Sequence, residues 1–90
     1  MMSSLPIDLK KLKDADKEIL RAGIIAELDA VNLYEQFAAY AKSKKIKEVL
    51  LEIAKEEKTH IGEFQALLLE LDKEQVEELE KGKNEVMGKH

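Results

Sequence analysis

Three side chains of the kinds that bind metal ions are spaced in this sequence so that a helical fold could bring them together. Glu57 and His60 form a Glu-x-x-His motif, and residues three apart lie on one face of an α-helix. Glu27 is a third candidate, earlier in the chain. Carboxylate oxygens with imidazole nitrogens suit Fe(II), and the carboxylates favour the Fe(III) product. The sequence therefore predicts an iron centre, provided that the fold brings Glu27 to the motif.

The composition indicates long helices that could carry these residues. Ninety residues allow one domain, and 38% charged with only 4% aromatic residues argues against an all-β fold. We predict an all-α domain over 14–90, preceded by a short lead at 1–13. Its helices are expected at about 15–42, 45–71 and 73–87, as an antiparallel two-helix hairpin plus a short C-terminal helix. Asp72 is the predicted N-cap of the third helix, with Gln75 completing a capping box.

Several classes of function are excluded by composition. The absence of cysteine rules out disulfides and thiolate metal sites. A net charge of −4 gives no basic footprint for nucleic acid. No apolar run approaches the roughly 18 residues of a membrane span, so we expect a soluble, cytoplasmic chain. So short a chain buries a small share of its surface, and we expect it to associate.

Both long helices carry a seven-residue repeat of apolar positions that three polar residues interrupt. The stripes are Leu20, Ile24, Glu27, Val31, Tyr34, Ala38, Ala41 and Ile46, Leu50, Ile53, Glu57, His60, Phe64, Leu67, Leu71. A buried carboxylate costs several kcal/mol unless it is paired or binds a cation, and no Lys or Arg stands in either stripe. If the hairpin folds back within residues 41–44, where the apolar pattern lapses, Glu27 lies level with Glu57 and His60.

One such hairpin supplies half of a known ligand set. Ferritin-like di-metal bundles use one Glu from each of two helices and a Glu-x-x-His motif from each of the other two. Two copies related by a two-fold axis would supply the whole set. We therefore predict that the hairpin dimerises into a ferritin-like four-helix bundle with two iron ions at the interface. The alternatives are a non-enzymatic dimerisation module with a buried polar cluster, or another di-metal oxidase or peroxidase.

Two segments together resemble a known family. The segment 26–36, AELDAVNLYEQ, followed by 56–60, EEKTH, resembles the encapsulated ferritins, in particular the ferritin-like domain fused to some archaeal encapsulin shell proteins. The resemblance covers about residues 20–80. It implies a ferroxidase that oxidises Fe(II) to Fe(III) for iron storage at a centre formed between two subunits. It also implies that Glu27, Glu57 and His60 are the ligands and that Tyr34 lies beside the centre.

The resemblance further implies an assembly. Dimers are expected to form a ring of five, a decamer, with an encapsulin shell as fused or cargo partner and an encapsulin nanocompartment as the location. The chain departs from some members of the family at Leu33, where they have tryptophan, and at Ala26, where they have a carboxylate. Asp29 is then the carboxylate available for a metal-entry site outside the centre. The tail at 81–90 does not resemble a cargo-targeting peptide.

Overall fold

Helix-forming residues without internal breaks produce three helices, as expected from the sequence. The structure is a computed structural model that describes residues 15–88. It contains α1 (Ala15–Tyr40), α2 (Lys44–Leu71) and α3 (Lys73–Met87), and no strand occurs among these residues. The all-α prediction is confirmed, whereas the predicted lead at 1–13 lies outside the described residues. α1 ends slightly before the expected position near 42. Within residues 15–88, no helix combines the length and hydropathy that a bilayer crossing needs.

Helices α1 and α2 run antiparallel. In the middle of α2, Lys58 Nζ lies 3.0 Å from Glu35 Oε2 of α1. Just beyond the end of α2, Asp72 Oδ2 accepts a hydrogen bond of 2.7 Å from Arg21 Nη2 of α1. Later residues of α1 therefore face earlier residues of α2, which defines the predicted hairpin.

The loop between α1 and α2 is closed by a serine rather than by glycine or proline. Ser43 has extended backbone angles, φ −77° and ψ 127°, and its Oγ accepts a hydrogen bond of 3.2 Å from the backbone N–H of Ile46. This satisfies one of the amides that the first turn of a helix leaves without a partner. The sequence indicated only a weak turn here, because a serine cap carries less signal than a glycine or proline.

The core of the single chain is narrow. The buried apolar residues of the described part are Ala26, Val31, Ala38, Ala54 and Leu68. Leu67, which the stripe predicted as core, is 51% exposed, and the stripe residues Ile46 and Leu71 are also exposed. That part of the prediction is wrong for one chain, because two packed helices cover only a strip of each other and leave their flanks open.

Asp72 joins α3 to the hairpin. Its Oδ1 accepts a hydrogen bond of 3.0 Å from the backbone N–H of Gln75, so the predicted N-cap is confirmed. Its Oδ2 accepts the hydrogen bond from Arg21, which the sequence did not predict. The backbone N–H of Gln75 and, next in size, the Arg21 guanidinium hold the pKa of Asp72 below its usual value of 3.8. The charged form is therefore favoured in the folded chain.

Acid is expected to weaken the attachment of α3. A carboxyl whose pKa is lowered by folding stabilises the fold above its unfolded pKa, and the contribution is lost as the pH falls through the folded pKa. Asp72→Asn keeps a capping oxygen but loses the charge that binds Arg21. The melting temperature from circular dichroism should be lower for this variant than for wild type at about pH 6, and the difference should shrink as the pH falls below about 4. An undiminished difference at low pH would contradict this role.

Candidate metal centre

The hairpin brings the three predicted ligands together at mid-height. His60 Nδ1 lies 3.4 Å from Glu27 Oε2 and 3.5 Å from Glu57 Oε2. One ligand atom from each residue lies within 4.8 Å of the others. Two donors that share an ion at about 2.1 Å from each lie about 3 to 4 Å apart. The spacing of the three groups therefore fits a single metal ion with little rearrangement.

The surroundings of the two glutamates also favour a cation. Their side chains are only 20% and 19% exposed, for Glu27 and Glu57 respectively, whereas the His60 side chain is 45% exposed. Glu27 Oε2 is buried and has no hydrogen-bond partner among residues 15–88. Its 3.4 Å approach to His60 Nδ1 is an ion-pair distance without hydrogen-bond geometry. A buried acceptor without a partner is costly, and a metal ion would satisfy it.

The nearest cation in the sequence is directed elsewhere. Lys58 follows Glu57 directly, but its ammonium group binds Glu35 on the flank of the hairpin at 3.0 Å. Successive residues of a helix point about 100° apart, so the side chains of Glu57 and Lys58 diverge. Lys58 therefore does not neutralise Glu57, and the Glu57 carboxylate is left to interact with groups near Glu27 and His60.

A close contact between α1 and α2, which the sequence analysis did not predict, lies one turn from these predicted ligands. A Cβ placed on Gly23 would lie 3.2 Å from Cε2 of Phe64. Gly23 is one helical turn before Glu27, and Phe64 is one turn after His60. Glycine costs about 1 kcal/mol relative to alanine inside a helix, so a glycine one turn from a candidate ligand is the sequence signal that could have indicated close packing here.

The other two predicted site residues lie outside this group of three. Tyr34 is half-buried, and its ring packs edge-to-face on Phe37, with centroids 6.5 Å apart and an interplanar angle of 79°. Asp29 is exposed on α1. Among residues 15–88, Glu27, Glu57 and His60 are the residues that meet as a candidate metal-binding group. A place for Tyr34 beside the centre and an entry role for Asp29 stay predictions.

Comparison with known proteins identifies the family to which the chain belongs. A model of the rubrerythrin family matches residues 18–89, which is most of the sequence. The chain belongs to the rubrerythrin family. This rubrerythrin-family chain is 58% identical, over 74 residues or 82% of its length, to a Pyrococcus furiosus protein named ferritin-like-encapsulin shell fusion protein. It spans only 21% of that protein's length.

A solved structure also resembles this chain closely in fold and sequence. The crystal structure of the encapsulated ferritin domain from Pyrococcus furiosus matches with a TM-score of 0.79 and 49% identity, covering 96% of this chain and 91% of that one. These findings confirm the resemblance that segments 26–36 and 56–60 indicated, and they confirm the ferritin-like helical fold. Together, the rubrerythrin family and these relatives support an iron-related function.

Proposed function

We propose that this chain is a ferroxidase subunit: two copies bind Fe(II) between them and oxidise it to Fe(III) for iron storage. The observation that carries the proposal is the convergence of Glu27, Glu57 and His60 in one hairpin, where Glu27 Oε2 is buried and lacks a hydrogen-bond partner in the described part of the chain. Fe(II) is the substrate. Two carboxylates and one imidazole are half of a di-iron ligand set, so the centre is complete only between two chains.

An apolar surface on one side of the hairpin supports the dimer. We call it the His60 face, and it contains Ile19 and Phe37 of α1 with Val49, His60 and Leu67 of α2. Eighteen residues are five helical turns, so Ile19 and Phe37 share one side of α1, and Val49 and Leu67 share one side of α2. Ile19 and Leu67 line one groove, which places both pairs on the same side of the hairpin.

The exposure of this face indicates a missing partner. Its four apolar side chains are each about half exposed, and His60 lies among them, also about half exposed. A second copy packed here through a two-fold axis would cover the apolar groups at both ends and bring a second set of ligands to the first. Burying both sets of residues would remove apolar area from water, which is the usual driving force for such association.

Each residue type has a separate task in the proposed reaction. The four glutamates of a dimer would neutralise two divalent ions and hold them at a fixed spacing, and each His60 would supply a nitrogen ligand. Carboxylates also stabilise Fe(III) more than Fe(II), which favours loss of an electron from each iron. Tyr34 would lie beside the centre, and Asp29 would guide ions towards it. The oxidant is O2 or peroxide.

The relatives suggest where the reaction would occur. The Pyrococcus furiosus relative is named as a fusion of a ferritin-like part with an encapsulin shell. We therefore propose association of this chain with an encapsulin compartment, in which five dimers form a decameric ring. An open ring does not enclose a mineral, so the shell would hold the Fe(III) product.

The direct test is oxidation of Fe(II) by the wild-type chain. Fe(II) is added without oxygen, the bound ions are counted by mass, and air is then admitted while ultraviolet absorbance follows the ferric product. We expect about two ions for each dimer and oxidation faster than in protein-free buffer. Zn(II), which takes the same nitrogen and oxygen ligands but has no redox chemistry, should inhibit. A rate equal to that of buffer alone would refute the ferroxidase assignment.

A further inference from the structure

We propose that Gly23 is a positioning residue for the metal centre, because its missing side chain lets Phe64 set the separation of α1 and α2 beside the ligands. The inference rests on the proposed function, since it concerns the same centre. It adds a residue that binds no metal and that acts through the packing of the two helices.

The contact is tight and is specific to this glycine. A Cβ built on Gly23 would lie 3.2, 3.3 and 3.4 Å from Cε2, Cδ2 and Cζ of the Phe64 ring. Within the described residues, a Cβ added to Gly62 in α2 or to Gly82 in α3 would meet nothing within 4 Å beyond its own chain neighbours and helix backbone. Three adjacent ring atoms thus pack against the backbone of α1 at Gly23, where any other residue would push the ring away.

The position of this contact links it to the ligands. Residues four apart lie one above the other on a helix, so Gly23 is directly below Glu27 and Phe64 is directly beyond His60 along their helices. An added methyl group would require Phe64 to move by a few tenths of an ångström. Metal and catalytic sites need their groups held within about 0.5 Å, so a movement of this size is a large fraction of the tolerance. In a two-fold dimer the displacement occurs twice at one centre.

Helix propensity allows the positioning role to be separated from stability. Alanine favours a helix more than glycine does, so Gly23→Ala and Gly62→Ala gain the same local preference. The two variants differ in the contact with Phe64, which exists at Gly23 and is absent at Gly62. Gly62 also lies between His60 and Phe64 in α2, which makes Gly62→Ala a closely matched control.

The experiment is a titration of the full chain with Co(II), whose visible absorption reports the number and type of its ligands. We expect Gly23→Ala to weaken Co(II) binding by about tenfold, the size typical of losing a group that orients ligands, and to change the visible spectrum. Gly62→Ala should bind like wild type. The double variant Gly23→Ala with Phe64→Leu should recover binding, because the smaller side chain makes room for the methyl group. Circular dichroism of each variant checks that the helices form.

Each outcome decides a different question. If wild type binds neither Co(II) nor Fe(II), the proposed function fails, and this inference fails with it. If wild type binds Co(II) and Gly23→Ala binds it equally well, the positioning role of Gly23 is overturned while the proposed function stands. If Gly23→Ala loses helix content, the double variant decides, because recovered folding without recovered Co(II) binding also overturns the role.

Discussion

Replacing His60 or Glu57 with alanine is expected to abolish Fe(II) oxidation while leaving the helices intact. His60 is the one nitrogen donor in the group of three, and its loss leaves each ion with oxygen ligands alone. We expect each variant to slow protein-dependent oxidation by at least about a hundredfold, since even groups outside the ligand sphere are worth about 10 to 100-fold. Alanine is the best helix former, so circular dichroism should show no loss of helix. Ferric absorbance after air is admitted measures the rate.

A matched control is available in the neighbouring residue. Glu56 is exposed and lies outside the group that meets at the centre, so Glu56→Ala makes the same change in charge as Glu57→Ala without removing a proposed ligand. Glu56→Ala should oxidise Fe(II) at the wild-type rate. Oxidation that survives both Glu57→Ala and His60→Ala would show that the ligand assignment is wrong. The rival hypothesis, a dimerisation module with a polar cluster, predicts no oxidation by any of these proteins.

The convergence of the three predicted ligands could be predicted because it depends on few variables. Helical periodicity places Glu57 and His60 on one face, and the lapse in the apolar pattern near residues 41–44 fixes the height of Glu27. The cap at Asp72 could be predicted for a similar reason, since a capping box is local in sequence. In both cases the interacting groups are set by spacing along one helix or by one fold-back point.

The burial of the stripes could not be predicted because a sequence pattern does not say which partner covers a residue. Leu67 repeats with the core positions of α2, yet it is half exposed in the single chain and lies on the His60 face. The pattern shows how much apolar surface the helix has in total. One hairpin can cover only part of that surface. The remainder agrees with coverage by a second copy, as the proposed dimer requires.

Contacts between distant residues were missed because they depend on the rotation of each helix about its axis. Arg21 and Asp72 are 51 residues apart in the sequence, and the contact of Gly23 with Phe64 also joins two different helices. Apolar periodicity fixes the direction of a helix face only roughly, since the apolar stripe of a helix is about 100° wide. A side-chain hydrogen bond requires the donor and acceptor to be aligned within a much narrower range of angles than this stripe defines.

Divalent metal is expected to convert the monomer into a dimer or a larger ring. Without metal, the proposed interface would bring four carboxylates into one water-poor site, where like charges repel. If two ions bind only to the dimer, the association constant of the dimer rises by a factor of (1 + M/Kd)², where M is the concentration of free metal. At free metal a hundredfold above Kd, the expected gain is about 10,000-fold. Native mass spectrometry with and without Fe(II) under nitrogen measures the shift, and a chelator should reverse it.

Neutral variants of the same size test whether metal promotes association by neutralising the repulsion between carboxylates or in another way. Replacing Glu27 and Glu57 together with glutamine removes the repulsion but keeps the volume of both side chains, so this double variant should form more dimer than wild type in the absence of metal. It should also be indifferent to added Fe(II), because amide oxygens do not supply the negative charge that the ions need. Wild type that stays monomeric at saturating Fe(II) would contradict an inter-subunit centre. A glutamine variant that still requires metal to associate would show that the carboxylates are not what keeps the two copies apart.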